Sequence, residues 1–143
     1  GEATVAIGRS AGQNDQGQYG VALGYEAGKY NQGLSAIAIG HEAGNTKQGV
    51  NSIAIGVYAA DNSQQANAVA IGILAGYDTQ GGNSVAIGLS AGQDNQGGDS
   101  VAIGTTAGET DQGIYSVAIS LSLYPRKNYP FAITSWSYGD VYL

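Results

Sequence analysis

Val101-Ala-Ile-Gly104 is the stretch that decides the fold, because the same four-residue word returns along the chain at one fixed interval. Each word begins 16 residues after the previous one, with no insertion between the first and the last. A strict period of this length is typical of repeat proteins in which each repeat forms one structural unit. The words are Val5-Ala-Ile-Gly8, Val21-Ala-Leu-Gly24, Ile37-Ala-Ile-Gly40, Ile53-Ala-Ile-Gly56, Val69-Ala-Ile-Gly72, Val85-Ala-Ile-Gly88, Val101-Ala-Ile-Gly104 and Val117-Ala-Ile-Ser120.

Positions in each repeat are numbered from the first residue of the word. Positions one and three are Val, Ile or Leu, position two is Ala, and position four is Gly except at Ser120. Because side chains alternate between the two faces of a strand, we expect the branched residues to fill the coil. The small alanines would then let identical chains approach closely from outside. The alanines predicted to face partner chains are Ala6, Ala22, Ala38, Ala54, Ala70, Ala86, Ala102 and Ala118.

Position twelve is glutamine in every complete repeat, although its neighbours at positions nine to eleven vary freely. This column predicts a ladder in which each side-chain amide hydrogen-bonds the amides above and below it. The alternative is an exposed polar turn residue. The predicted ladder residues are Gln16, Gln32, Gln48, Gln64, Gln80, Gln96 and Gln112.

Glycine recurs at positions eight and thirteen, which predicts turns with positive φ or points where backbone packs on backbone. Ala60 and Gln65 replace these glycines in one repeat. If either residue has positive φ, we expect strain on the order of 1–2 kcal/mol there. This repeat would then be the weakest.

The composition argues against several classes of function. With 5 basic and 11 acidic residues the net charge is −6, which repels phosphate backbones, so we expect no nucleic-acid partner. No run of 18 apolar residues is present, and we expect no membrane insertion by this chain. No secretion signal precedes the first repeat, so we expect a piece, or the mature part, of a longer protein.

The repeated word resembles that of the YadA-like head repeats of trimeric adhesins, which carry Ser-Val-Ala-Ile-Gly. The resemblance covers residues 3–120 and implies a left-handed parallel β-roll, three chains side by side, and attachment at a cell or particle surface. The 16-residue repeat is longer than the family's usual unit, so the loop geometry and the glutamine ladder do not carry over. The matching stretches are Asn51-Ser-Ile-Ala-Ile-Gly56, Asn83-Ser-Val-Ala-Ile-Gly88 and Ser100-Val-Ala-Ile-Gly104.

Residues 121–143 break the period and contain both prolines, the one Trp and the one Phe. Two compatible roles suit them. One is a cap over the unpaired strand edges of the last repeat. The other is a receptor-binding tip, because Tyr and Trp give rigid contact surfaces that suit sugars or protein epitopes. The predicted receptor-binding residues are Tyr124, Arg126, Lys127, Tyr129, Trp136 and Tyr138.

Stacking at an offset of 16 residues places Glu26 over Glu42, and Asp78 over Asp94, at about 5 Å. Such carboxylate pairs suit a retaining glycosidase or a cation site, but an exposed like-charge pair screened by water is the simpler interpretation. His41 is the sole histidine and cysteine is absent, so no histidine-dependent triad or typical zinc site is available. We expect neither catalysis nor a bound metal or cofactor.

Apolar residues occupy positions five and six of three successive repeats. They predict a lateral patch that contacts either a partner chain of the trimer, which we favour, or another ligand. These residues are Val57, Tyr58, Ile73, Leu74 and Leu89.

Taken together, the sequence predicts an all-β, left-handed parallel β-roll (a β-solenoid) that is homotrimeric because so thin a coil has little interior of its own. Residues 1–120 form the repeat domain and residues 121–143 an aromatic C-terminal cap. The expected function is a fibre or adhesin head, extracellular on a cell or virion surface, that attaches through its tip to a glycan or protein receptor. The alternative is a structural spacer or trimerisation module of a phage, viral or bacterial fibre with no receptor site.

Overall fold

The computed structural model describes residues 2–120, and over this range the chain is a β-solenoid built from short parallel strands without a helix. Each 16-residue repeat forms one coil, and coils one to seven begin at residues 5, 21, 37, 53, 69, 85 and 101. The strands are β1 Val5–Ile7, β2 Val21–Leu23, β3 Tyr30–Gln32, β4 Ile37–Ile39, β5 Thr46–Gln48, β6 Ile53–Ile55, β7 Val69–Ile71, β8 Val85–Ile87, β9 Val101–Ile103 and β10 Val117–Ile119.

The repeated word forms one parallel sheet of eight strands in the order β1-β2-β4-β6-β7-β8-β9-β10. Equivalent residues pair directly, as Val69 does with Val85 and Ala70 with Ala86. The offset between paired residues is therefore the sequence period itself, and every position of the repeat becomes a column along the rod.

A second column of pairing runs along the other side of the coil. β3 and β5 form a two-stranded parallel sheet in which Gln32 pairs with Gln48. Isolated bridges between successive glutamines continue this column from Gln48 to Gln96. A second strand near positions 12 to 16 was expected, whereas β3 and β5 occupy positions ten to twelve.

Left-handed backbone conformations form the corners of each coil. Position six has φ between 52° and 58° in all seven coils, and position fifteen has φ between 54° and 60°. Most of these residues are not glycine. Since an L-residue adopts this region at a cost, the corners are held by the hydrogen bonds that join each coil to its neighbours.

The structure reverses the expected inside and outside of the coil. Ala54 and Ala70, at position two, are fully buried within their own chain, while Ile71 beside them faces outward. The alanines predicted to face partner chains cannot do so from coil two onwards, and only Ala6, in the first coil, is exposed. The buried members of this column are Ala22, Ala38, Ala54, Ala70, Ala86, Ala102 and Ala118.

The narrowness of the coil explains this reversal. The side chain of Gln64 crosses the interior and its Nε2 reaches the carbonyl oxygen of Ile53 at 2.8 Å. Only small side chains fit beside such a crossing. The interior therefore consists of Ala at positions two and seven, Gln at position twelve and mostly Ala or Ser at position sixteen, which leaves no room for Val and Ile.

Candidate functional site

The glutamine column lies in the interior and ties the two sides of each coil together. Every Nε2 donates to the carbonyl oxygen of position one in its own coil, at 2.7–2.9 Å. A buried carbonyl without a partner costs about 1–3 kcal/mol, so these side chains satisfy backbone groups that no strand partner reaches. The column is structural and is not open to a ligand.

Amide-to-amide bonds join neighbouring glutamines at three steps of the column. Gln32 donates to Gln48 at 3.2 Å, Gln64 to Gln80 at 2.9 Å, and Gln80 to Gln96 at 3.1 Å. At the other three steps the acceptor is left without a partner, because Oε1 of Gln32, Gln64 and Gln112 accepts no hydrogen bond. The ladder is therefore interrupted, and one interruption lies between coils three and four.

Glycine at position four permits the close stacking of coils. Gly72 has φ of 132°, and a Cβ added there would lie 2.4 Å from the carbonyl oxygen of Gly88 in the next coil. Neither the dihedral nor the contact tolerates an L side chain. The word is thus a strand followed by an obligatory glycine corner.

Two columns of branched apolar side chains cover the outer face of the eight-stranded sheet. Position three is 40% exposed at Ile103 and 37% exposed at Ile87, and position one is partly exposed in the middle coils. A contiguous exposed apolar face of this kind marks an interaction surface. We call these two columns the apolar face; they comprise the residues at positions one and three from Val5 to Ile119.

The lateral patch predicted from positions five and six adjoins the apolar face. Val57, Ile73 and Leu89, at position five, are 38%, 50% and 48% exposed. Tyr58 and Leu74, at position six, have φ of 56° and 58° and are only partly exposed. Three outward aliphatic side chains thus widen the apolar surface of coils four to six.

A line of rings crosses coils two to five on the corner that follows the apolar face. The rings of Tyr25 and His41 stack with centroids 4.9 Å apart, and Tyr58 and Tyr77 continue the line in edge contacts at 5.3 and 6.4 Å. The Arg9 guanidinium lies 5.6 Å from the Tyr25 ring. Reading positions five, six and nine as stacked columns would have found this line in the sequence.

Charged groups on the same corner are paired in coil two. Lys29 Nζ lies 2.9 Å from Glu26 and 5.0 Å from the centroid of the Tyr30 ring. The hydrogen bond with Lys29 lowers the pKa of Glu26 and raises that of Lys29, and a hydrogen bond with Glu26 raises the pKa of Tyr25. The pair is ordinary surface electrostatics.

Asp61 in coil four differs from these groups. Its Oδ1 is buried and accepts no hydrogen bond. Burial raises the pKa of the carboxyl to about 6, the Glu42 carboxylate raises it further, and His41 lowers it. A carboxyl half out of water beside a second acid is the most perturbed acid in the described chain.

The carboxylates expected to stack in pairs have other partners. Glu26 pairs with Lys29, and Glu42 accepts a hydrogen bond from Asn45 at 3.4 Å. Asp78 accepts one from Asn62 at 2.5 Å. Within residues 2–120 no group of three or more acidic or histidine side chains is placed to hold a metal ion.

Asparagine side chains add a short exposed ladder that the sequence analysis missed. Asn51 donates to Asn67, Asn67 to Asn83, and Asn83 to Asp99, at 3.4, 3.1 and 3.0 Å. All four residues occupy position fifteen, so the column could have been read from the period. It fastens coils together on the outside.

The predicted tip residues lie outside the described residues, as does the whole of the C-terminal segment 121–143. Their assignment to receptor binding stays a prediction. Over the described range, no helix has the length and apolar character to cross a membrane. Comparison with protein-family models, with curated proteins and with solved structures found no match to this chain.

Proposed function

We propose that this chain forms the rod of a homotrimeric fibre or adhesin head, an extracellular and non-enzymatic module that attaches to a cell surface. In this proposal the copies pack through the apolar face. The C-terminal segment 121–143 provides the tip that binds a glycan or protein receptor.

The observation that carries the proposal is the exposure of the apolar face in a chain whose interior holds only small residues and glutamine. Ile87 and Ile103 face outward from the sheet, and Ile73 and Leu89 extend the same surface. Fully burying one such side chain contributes roughly 1.5–3 kcal/mol. Association of identical rods would supply the apolar burial that one coil lacks.

Three substitutions on the apolar face test the packing. Ile71→Thr, Ile87→Thr and Ile103→Thr keep β-branched residues in the strands while adding a hydroxyl to each outward position. We expect the triple variant to associate at least about a hundredfold more weakly, measured by sedimentation equilibrium, because roughly 3 kcal/mol or more of burial is lost.

The matched control changes the other side of the coil. Asp78→Thr with Asp94→Thr replaces residues at position ten, where Thr46 and Thr110 occur naturally. This variant should associate as the unmodified chain does. Equal weakening in both variants, or in neither, would remove the apolar face as the site of packing.

The second candidate function is a structural spacer without a receptor site. The regularity of the described coils favours it, since eight strands stack in one register without an insertion that could build a binding loop. Binding of the intact chain to a panel of glycans or to host cells distinguishes the two functions. A spacer binds none of them.

A further inference from the structure

The contact between positions six and nine is lost step by step along three successive coils. In coil two the pair is Glu26 and Lys29, an ion pair of 2.9 Å. In coil three it is Glu42 and Asn45, joined by a hydrogen bond. In coil four Tyr58 and Asp61 occupy these positions, and Asp61 Oδ1 has no donor.

Coil four also carries the least favourable backbone. Ala60 stands where the other complete coils have glycine, and its φ is 47°. A left-handed alanine costs on the order of 1 kcal/mol relative to glycine. Gln65 replaces the glycine of position thirteen in the same coil, with φ outside the left-handed region.

The interior support is weaker at the same level of the rod. No amide bond from Gln48 reaches Gln64, whose Oε1 is without a partner. β5 ends at Gln48, and beyond it the second column continues only as isolated bridges. Four independent features thus coincide in coil four: the missing donor, the strained alanine, the lost glycine and the interrupted ladder.

We infer that coil four is an acid-closed joint of the rod, held shut while the Asp61 side chain is neutral and opening locally when that carboxyl is ionised beside Glu42. The joint divides the rod into coils one to three and coils five to seven. This inference is independent of trimer formation, since it concerns contacts within one chain.

The groups around Asp61 all act in the same direction. Glu42, from coil three, repels the ionised carboxylate, and burial removes water that would solvate it. His41, also from coil three, attracts the carboxylate when it is protonated in acid. Tyr77, from coil five, lies close enough that Asp61 raises the pKa of its hydroxyl, so Tyr77 stays neutral and offers no compensating charge.

The sign follows from linkage. The pKa of Asp61 is raised in the folded coil from 3.8 to about 6, so between these values the folded coil holds a proton that the open coil has released. Closure is therefore most favourable in acid and weakens as the pH rises through this window. Two pKa units correspond to about a hundredfold at most, and partial exposure reduces this to about tenfold.

Hydrogen exchange of the intact chain, followed by mass spectrometry at about pH 5 and about pH 7.5 and corrected for intrinsic exchange rates, tests the joint. We expect amides of residues 58–66 to lose about tenfold in protection at the higher pH, while those of coils two and six change little. Asp61→Asn should abolish the difference, and Asn45 shows that this position accepts asparagine.

Two further variants keep the test decisive. Ala60→Gly should raise protection of coil four at both pH values and keep the pH dependence, because it relieves strain without removing the carboxyl. Asp15→Asn, at an exposed carboxylate of coil one, should change nothing. Equal protection of coil four at both pH values, or an unaltered pH dependence in Asp61→Asn, would overturn the inference.

Discussion

Gln80 donates a hydrogen bond from Nε2 to the carbonyl oxygen of Val69, 2.8 Å away across the interior of its own coil. The same amide donates to Gln96 and accepts from Gln64. A single buried side chain therefore links the two sides of one coil and three successive coils. This arrangement replaces the apolar core that so narrow a coil cannot hold.

Gln80→Leu should lower the free energy of unfolding by about 2–4 kcal/mol, because it leaves the Val69 carbonyl and two neighbouring amides unpaired in the interior. Chemical denaturation measures the change. Gln16→Leu is the matched control, since the bond from Gln16 to Val5 lies at the exposed end of the column. Its cost should stay below about 1 kcal/mol, and equal costs at both positions would show that the interior bonds contribute little.

Gly72→Ala should disrupt the stacking of coils five and six. The new Cβ would approach the Gly88 carbonyl to 2.4 Å, at a φ of 132°, so we expect a loss of about 3 kcal/mol or more in thermal denaturation. Gly82→Ala is the control, because its nearest atom lies at 3.4 Å. If both alanines have the same small effect, coils do not stack through position four.

Ala60→Gly should stabilise the rod by about 1 kcal/mol, since glycine adopts the φ of 47° found there without strain. Ala59→Gly, in the neighbouring buried position without positive φ, should instead destabilise by about 1 kcal/mol through added chain entropy and a lost methyl contact. A stabilised Ala59→Gly or a destabilised Ala60→Gly would contradict the strain assigned to coil four.

Trp136→Ala should abolish attachment to the receptor while the oligomer persists. The residue belongs to the aromatic segment that follows the coils, and such a side chain is a usual anchor of binding surfaces. Binding to host cells and sedimentation of the same sample measure the two properties. Undiminished attachment would remove Trp136 from the receptor site.

The period of the sequence predicted the register of the sheet, because a strict offset of 16 residues leaves each Val or Ile one direct neighbour in the next coil. It also marked Ala60 as a strained position, which its φ bears out. It could not decide which face of the word is inside. Both faces of Val-Ala-Ile are apolar, and the choice depends on the width of the coil, which the crossing of Gln64 to Ile53 sets.

The corner around Asp61 was missed for a different reason. The sequence analysis compared acids within one column, such as Glu26 with Glu42, whereas Asp61 meets Glu42 from a neighbouring column and a neighbouring coil. Such contacts depend on how the left-handed corner at position six turns its side chains, as at Tyr58 with φ of 56°. Periodicity alone does not give that orientation.

Sedimentation equilibrium of the unmodified chain in dilute buffer tests most directly whether the apolar face joins three copies. The account predicts a mass of three times 14.4 kDa, or about 43 kDa. A well-folded species of 14.4 kDa, unchanged as the concentration rises, would contradict it.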